Sequence, residues 1–132
     1  MNMAGMEVVA IVTVLAMLQF VWFGIQVGSM RVQHEVKAPA MSGAPGFERM
    51  NRVHYNTLEQ LIVFLPALWL YAHMVNPAWA AGFGIVYLVG RFVYRAAYLK
   101  DPAGRSVGFT LTFLPMAVML LWVLVVAVMK LI

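Results

Sequence analysis

The sequence predicts an all-α membrane protein, a bundle of four transmembrane helices, and three observations lead there. Of 132 residues, 64% are hydrophobic and 11% charged, far from the balance of a soluble domain. A soluble chain of this length has one modest core and too little interior to hide so much apolar surface. Second, Val8 to Met30, Gln60 to Gly90 and Ser106 to Met129 contain no Asp, Glu, Lys or Arg, and each is long enough for a hydrocarbon core of about 30 Å. Third, the middle stretch is too long for one crossing. As a single helix it would run about 46 Å, and it contains Asn76-Pro77, a turn signal. It therefore reads as a helical hairpin.

In chain order, helices are expected at about residues 7–30, 50–75, 78–99 and 105–130, forming one domain over 1–132. The first apolar run is longer than the core of a signal peptide and no basic residue precedes it, so it is read as a retained span. Gln19 and Gln26 share a face of that helix and predict a hydrogen-bonded seam with a neighbouring helix. Arg31 closes it, and Pro39, Gly43, Pro45 and Gly46 mark the connecting loop that follows. Lys100 to Arg105 forms the second turn, and Pro115 is expected to bend the last helix. The 11 Met residues and the Trp and Phe residues are expected to face the membrane.

All but one of the nine Lys and Arg residues lie in or beside the two connecting segments, Lys130 being the exception. The positive-inside rule then places those segments in the cytoplasm and both termini outside it, in the cell or inner membrane if the chain is bacterial. The net charge of +4 is thus in part a topology signal, not a nucleic-acid footprint. Cysteine is absent, which excludes disulfides, thiolate metal sites and a protein thiol nucleophile. His34, His54 and His73 lack metal-ligand spacing, so no metal is expected. No phosphate loop or nucleophile elbow occurs.

The informative stretch is Arg52-Val53-His54-Tyr55-Asn56-Thr57-Leu58-Glu59, at the head of the hairpin. Arg52, Asn56 and Glu59 fall within an arc of roughly 60° on one helix face. Snorkelling at a helix end explains Arg52, but it explains Glu59, two turns deeper, poorly. Counted from the turn at Asn76, Glu59 levels with Tyr94 and Asn56 with Tyr98, while Arg91 sits slightly deeper. The hairpin thus brings Arg52/Asn56/Glu59 and Arg91/Tyr94/Tyr98 to one depth. A matching ligand carries a carboxylate for the arginines, an ammonium for Glu59, and amides for Asn56 and the tyrosines; a small anionic peptide fits. Arg105 stands at a helix N-terminus, where a thiolate or developing oxyanion is stabilised. With no cysteine, any sulfur must arrive on a small molecule. A network that only ties helices together would use the same residues.

These motifs resemble the MAPEG superfamily, the membrane-associated proteins of eicosanoid and glutathione metabolism. Phe47-Glu48-Arg49, Arg52-x-x-x-Asn56-x-x-Glu59 with Pro66 beyond it, Arg91-x-x-Tyr94-x-x-x-Tyr98, and Arg105-Ser106 carry the resemblance over nearly the whole chain. It implies a homotrimer of four-helix subunits, with glutathione as co-substrate bound at subunit interfaces and a hydrophobic co-substrate arriving from membrane lipid. It makes Arg31, Arg52, Asn56, Glu59, Arg91, Tyr94 and Tyr98 glutathione contacts and Arg105 the residue that stabilises the thiolate. His54 is a further ligand candidate, although it lies about 160° from Arg52 around the helix. His54 and Arg105-Ser106 resemble the prostaglandin-forming branch; Arg31 and Tyr94 resemble the leukotriene-forming branch. Gln60 stands where the latter has a tyrosine, and the turn before Arg105 differs in length from the former. The implied activity is a glutathione transferase or peroxidase acting on lipophilic electrophiles. The alternative is a non-catalytic lipid-binding or scaffolding member.

Overall fold

The computed structural model describes residues 4–132, so the start of the expected domain lies outside the described residues. Four helices make up the fold: α1 (Met6–Gln33), α2 (Pro45–Met74), α3 (Pro77–Lys100) and α4 (Ser106–Leu131). A single 3-10 turn at Pro102–Gly104 joins the last two, and no strand occurs among the described residues. Helices α1 and α4 are each long and apolar enough to cross a membrane. Helices α2 and α3 carry the polar blocks and pack along both of them.

The hairpin turns where Asn-Pro predicts. Asn76 caps α3, its Oδ1 accepting from the Trp79 amide at 3.0 Å, while Pro77 occupies the first helical position, where a missing N–H costs nothing. Helix α2 begins earlier than residue 50, because Pro45 starts it in the same way. Its core face is set at once by Phe47 and Met50, both fully buried. Helix α1 runs on to Gln33, so Arg31 lies inside its last turn, where a cation suits the helix dipole. Helix α4 continues through Pro115 and α2 through Pro66.

The expected glutamine seam forms between α1 and α3. Gln19 Nε2 donates to the Leu88 carbonyl at 3.0 Å, and Arg95 Nε donates to Gln26 Oε1 at 2.7 Å. The expectation that Met, Trp and Phe face the membrane needs correction. Met50, Met119, Phe23, Phe47 and Phe64 are fully buried, whereas Trp79, Phe113 and Met129 are exposed. Which face of its helix a residue occupies decides the matter, not its type.

The interior has two apolar clusters. The larger, at the Asn76 end, includes Ala16, Leu61, Tyr87 and Met116; the smaller, at the basic end, includes Phe23, Val53 and Tyr94. Between these lie Gln19, Thr57, Arg91 and Thr112, so each helix contributes a buried polar residue to this level. Glycines on α3 and α4 bring the backbones close at this level. A Cβ on Gly90 would meet Leu111 Cβ at 2.8 Å, and one on Gly108 would collide with the backbone of Tyr94.

Gly108→Ala should therefore push α4 off α3 and cost about 1–3 kcal/mol. Gly28→Ala meets open space and should be neutral or stabilising by up to about 1 kcal/mol. Thermal unfolding in mild detergent, followed by circular dichroism, compares the two. Equal midpoints would mean that α3 and α4 do not approach as described.

Candidate functional site

The basic end of the bundle gathers the C-termini of α1 and α3 and the N-termini of α2 and α4. Its innermost charged group is Arg91, which is 0% exposed. The Arg91 Nη2 donates to Thr57 Oγ1 at 2.8 Å, and the guanidinium carbon lies 4.4 Å from the centre of the Tyr94 ring. Thr57 is buried too, and its hydroxyl donates to the Val53 carbonyl at 2.7 Å. Arg91 Nε and Nη1 have no hydrogen-bond partner, and neither has the nearby Tyr87 hydroxyl. A buried cation is costly unless paired or hydrogen-bonded. Here one hydroxyl and one aromatic face do that work.

Tyr94 links this interior charge to the open surface. It is buried and stacks on the half-buried Tyr98, ring centres 5.5 Å apart at 24°. Arg91, Arg52 and Arg105 all act electrostatically on the Tyr94 hydroxyl. Residues from α2, α3 and the start of α4, three of them cations, thus converge on one phenol. Gly108 makes this possible by letting the first turn of α4 ride on the Tyr94 backbone. Arg105 is held by the turn before it. Asp101 Oδ1 accepts from the Ala103 amide at 3.0 Å, and Arg105 Nη1 donates to the Pro102 carbonyl at 2.9 Å. The rest of its guanidinium is exposed at the helix mouth.

Arg52 and Glu59 are exposed, and Asn56 between them is half-buried with its Oδ1 unpartnered. Glu59 opens onto a groove of about 350 Å³ between α2 and α4, floored by Gln60, Val63, Phe113 and Met116. That groove is almost wholly apolar apart from its Glu59–Gln60 rim. A polar mouth with clustered cations thus adjoins an apolar channel along the helices.

Three expected site residues are placed elsewhere or otherwise than on this open face. Arg91 lies in the bundle interior, with no surface open to a ligand. His54 turns to α1, stacking on Phe20 with ring centres 4.5 Å apart, over Gly24; this is the far side of α2 that its angular offset from Arg52 requires. Arg31 caps the α1–α2 loop, donating to the Ala40 carbonyl at 2.7 Å and lying 4.5 Å over the Phe47 ring. The roles of two residues escaped the sequence reading. Thr57 sits inside the polar block, at the depth of the buried arginine that its hydroxyl serves. Arg49 donates to the Leu99 and Lys100 carbonyls, both at 3.1 Å, satisfying free groups at the end of α3; a cation opposite a helix C-terminus was the available signal.

Fold and site together define a class: a four-helix integral membrane protein with a cationic, tyrosine-lined site at one end beside an apolar groove. Comparison with known proteins narrows it. The model of the MAPEG family matches residues 9–125. Microsomal glutathione S-transferase 2 of Homo sapiens is 35% identical over 111 residues, covering 83% of this chain and 76% of its own. Leukotriene C4 synthase of Mus musculus is 35% identical over 116 residues, 88% of this chain and 74% of its own. An uncharacterized protein of Synechocystis sp. is 45% identical over 102 residues, 77% of this chain and 74% of its own. The chain belongs to the MAPEG family.

Thr57→Val preserves volume but removes the one hydroxyl that Arg91 uses. The mutation should cost about 1–3 kcal/mol, because the guanidinium is left buried without a hydrogen bond. Thr57→Ser should recover most of the loss. Detergent unfolding midpoints test this; a Thr57→Val midpoint equal to wild type would show that Thr57 does not hold Arg91.

Proposed function

We propose that this protein is a glutathione-dependent membrane transferase that activates the thiol for attack on lipophilic electrophiles or lipid hydroperoxides. The observation that carries this reading is the stacked Tyr94–Tyr98 pair over Arg91, flanked by the exposed Arg52 and Arg105, beside the apolar groove at Glu59. Glutathione presents two carboxylates, an ammonium, two amides and a thiol. Arg52 takes a carboxylate, Glu59 the ammonium, and the half-buried Asn56 side chain an amide. Tyr98 supplies its hydroxyl beside Tyr94. Arg91, sealed from contact, is a positioning residue: it fixes the Tyr94 ring and contributes its field.

Chemistry falls to Arg105. A free thiol ionises with a pKa near 8.5, so at neutral pH the thiolate is a minority; a fixed cation and a helix N-terminus favour it. The thiol proton leaves to water, and the sulfur attacks the electrophilic carbon of a co-substrate in the apolar groove. A carbon–sulfur bond forms as the bond to the leaving group breaks, and the departing anion carries the charge away. With a hydroperoxide, two glutathione molecules are oxidised to the disulfide as the peroxide is reduced to alcohol and water.

The assembly in this reading is a homotrimer with the basic end facing the cytoplasm and both termini on the far side. Support comes from the family and from the distribution of Lys and Arg. Arg31 and His54, both on the α1–α2 side of the bundle, would reach a ligand bound at the α2–α4 face of a neighbouring copy, as a site between subunits requires. A scaffold without turnover is the competing reading, favoured by one observation: Arg91 is already engaged within the bundle.

Two substitutions separate binding from chemistry. Glu59→Gln removes the partner of the ammonium and should weaken glutathione affinity roughly thirtyfold, about 2 kcal/mol. Arg105→Ala should bind glutathione nearly as wild type yet lose most of kcat with a chromogenic aryl halide. Arg105→Lys, which keeps the charge without the planar fork, should retain part of it. Calorimetry and the aryl halide assay read both. Unchanged turnover in Arg105→Ala would remove it from the chemistry, and a wild type that binds glutathione without turnover would favour the scaffold.

A further inference from the structure

A second groove lies between α1 and α3, among residues that the glutathione reading leaves idle. These two helices run parallel in one register: Gln26 meets Arg95, Trp22 packs on Phe92 with ring centres 6.0 Å apart, and Gln19 meets Leu88. Leu15, Leu18, Gln19, Trp22, Leu88 and Phe92 wall a groove of about 320 Å³, nearly devoid of polar surface. Trp22 and Phe92 remain 42% and 48% exposed along it, so the groove opens to the exterior of the chain.

Charge enters at one end. Arg95 Nε is committed to Gln26, and its guanidinium carbon lies 5.1 Å over the Trp22 ring. This fixes the plane of the fork and leaves its Nη groups without a protein partner among the described residues. Arg95 lies about 28 Å along α3 from Asn76, against a hydrocarbon thickness of about 30 Å. Its fork is therefore level with the headgroups, and Trp22 occupies the depth where aromatic residues gather at membrane interfaces. Below both, the groove descends into the hydrocarbon layer.

We propose that the α1–α3 groove is a binding site for one anionic phospholipid, with its phosphate on Arg95 and an acyl chain along Trp22, Phe92, Leu88 and Leu18. Charge complementarity selects this occupant. One oriented cation neutralises one net negative headgroup, whereas a zwitterionic headgroup brings its own cation to compete. A free inorganic anion would make no use of the apolar track. A second copy of the chain would have to bury the fork of Arg95 against protein.

Quenching of Trp22 by brominated acyl chains tests the site. The protein is reconstituted in phosphatidylcholine vesicles in which a minor, equal fraction of either phosphatidylglycerol or phosphatidylcholine carries brominated chains. The signal of Trp22 is the difference between wild type and Trp22→Phe. Brominated phosphatidylglycerol should quench it at about fivefold lower mole fraction than brominated phosphatidylcholine, the preference expected from one arginine at an anionic surface. Arg95→Gln should abolish the preference and Arg95→Lys should keep most of it, with helicity unchanged in both. Equal quenching by the two lipids in wild type would reduce the groove to ordinary hydrocarbon contact, and no quenching by either would mean that protein covers this face. A preference surviving in Arg95→Gln would place the phosphate elsewhere. The measurement uses no glutathione, so its failure leaves the thiol reading standing, and the converse holds.

Discussion

The fold is arranged around a cation that it cannot neutralise. Arg91 is fully buried in a bundle whose other interior residues are almost all apolar, and no carboxylate among the described residues pairs with it. Removing a guanidinium from water is costly by several kcal/mol even after relaxation. The structure offsets part of that with the Thr57 hydroxyl and the Tyr94 ring. The Gln19–Leu88 bond and the buried Thr112 complete a polar layer at the same level. Replacing such a layer with apolar residues would commonly be neutral or stabilising. Retention of so expensive a charge therefore argues for a use outside packing, and Tyr94 is the group through which its field reaches the surface.

Small residues make the layer possible. Glycine at 90 and 108 lets α4 lie against α3 closely enough for Arg105, at the helix mouth, to act on the same phenol as Arg91. Cations from α2, α3 and the mouth of α4 then share one neighbourhood, with Glu59 at its rim. That arrangement is unstable toward self-repulsion and stable toward an incoming anion. The apolar α2–α4 groove beginning at Glu59 places a lipophilic partner beside it.

Much of this was legible in the sequence. Long uncharged runs gave the helices, Asn76-Pro77 gave the hairpin, and equal distances from that turn gave the shared depth of the two polar blocks. Periodicity placed Gln19 and Gln26 on one helix–helix seam, which the structure forms with α3, and turned His54 away from Arg52. The depth of Arg91 was legible, but its burial was not. A helical wheel assigns Arg91, Tyr94 and Tyr98 one face without saying whether that face meets water or another helix; that depends on Gly90 and Gly108 in three dimensions. The role of Thr57 was hidden for a similar reason: a threonine in a helix usually bonds its own backbone, and here it does so while also accepting from Arg91. The early start of α2 was missed because Pro45 and Gly46 were read as part of the connecting loop, when Pro45 starts the helix and Phe47 and Met50 form the core face of its first turns.

Everything proposed for this cationic end requires that it ionise a thiol. The direct measurement is the ultraviolet absorbance of thiolate when glutathione is added to the purified, assembled protein and the pH is scanned. A thiolate band should already be present near neutral pH, with its midpoint below that of glutathione free in the same buffer. Glutathione shown by calorimetry to be bound, yet titrating at its free midpoint, would contradict it.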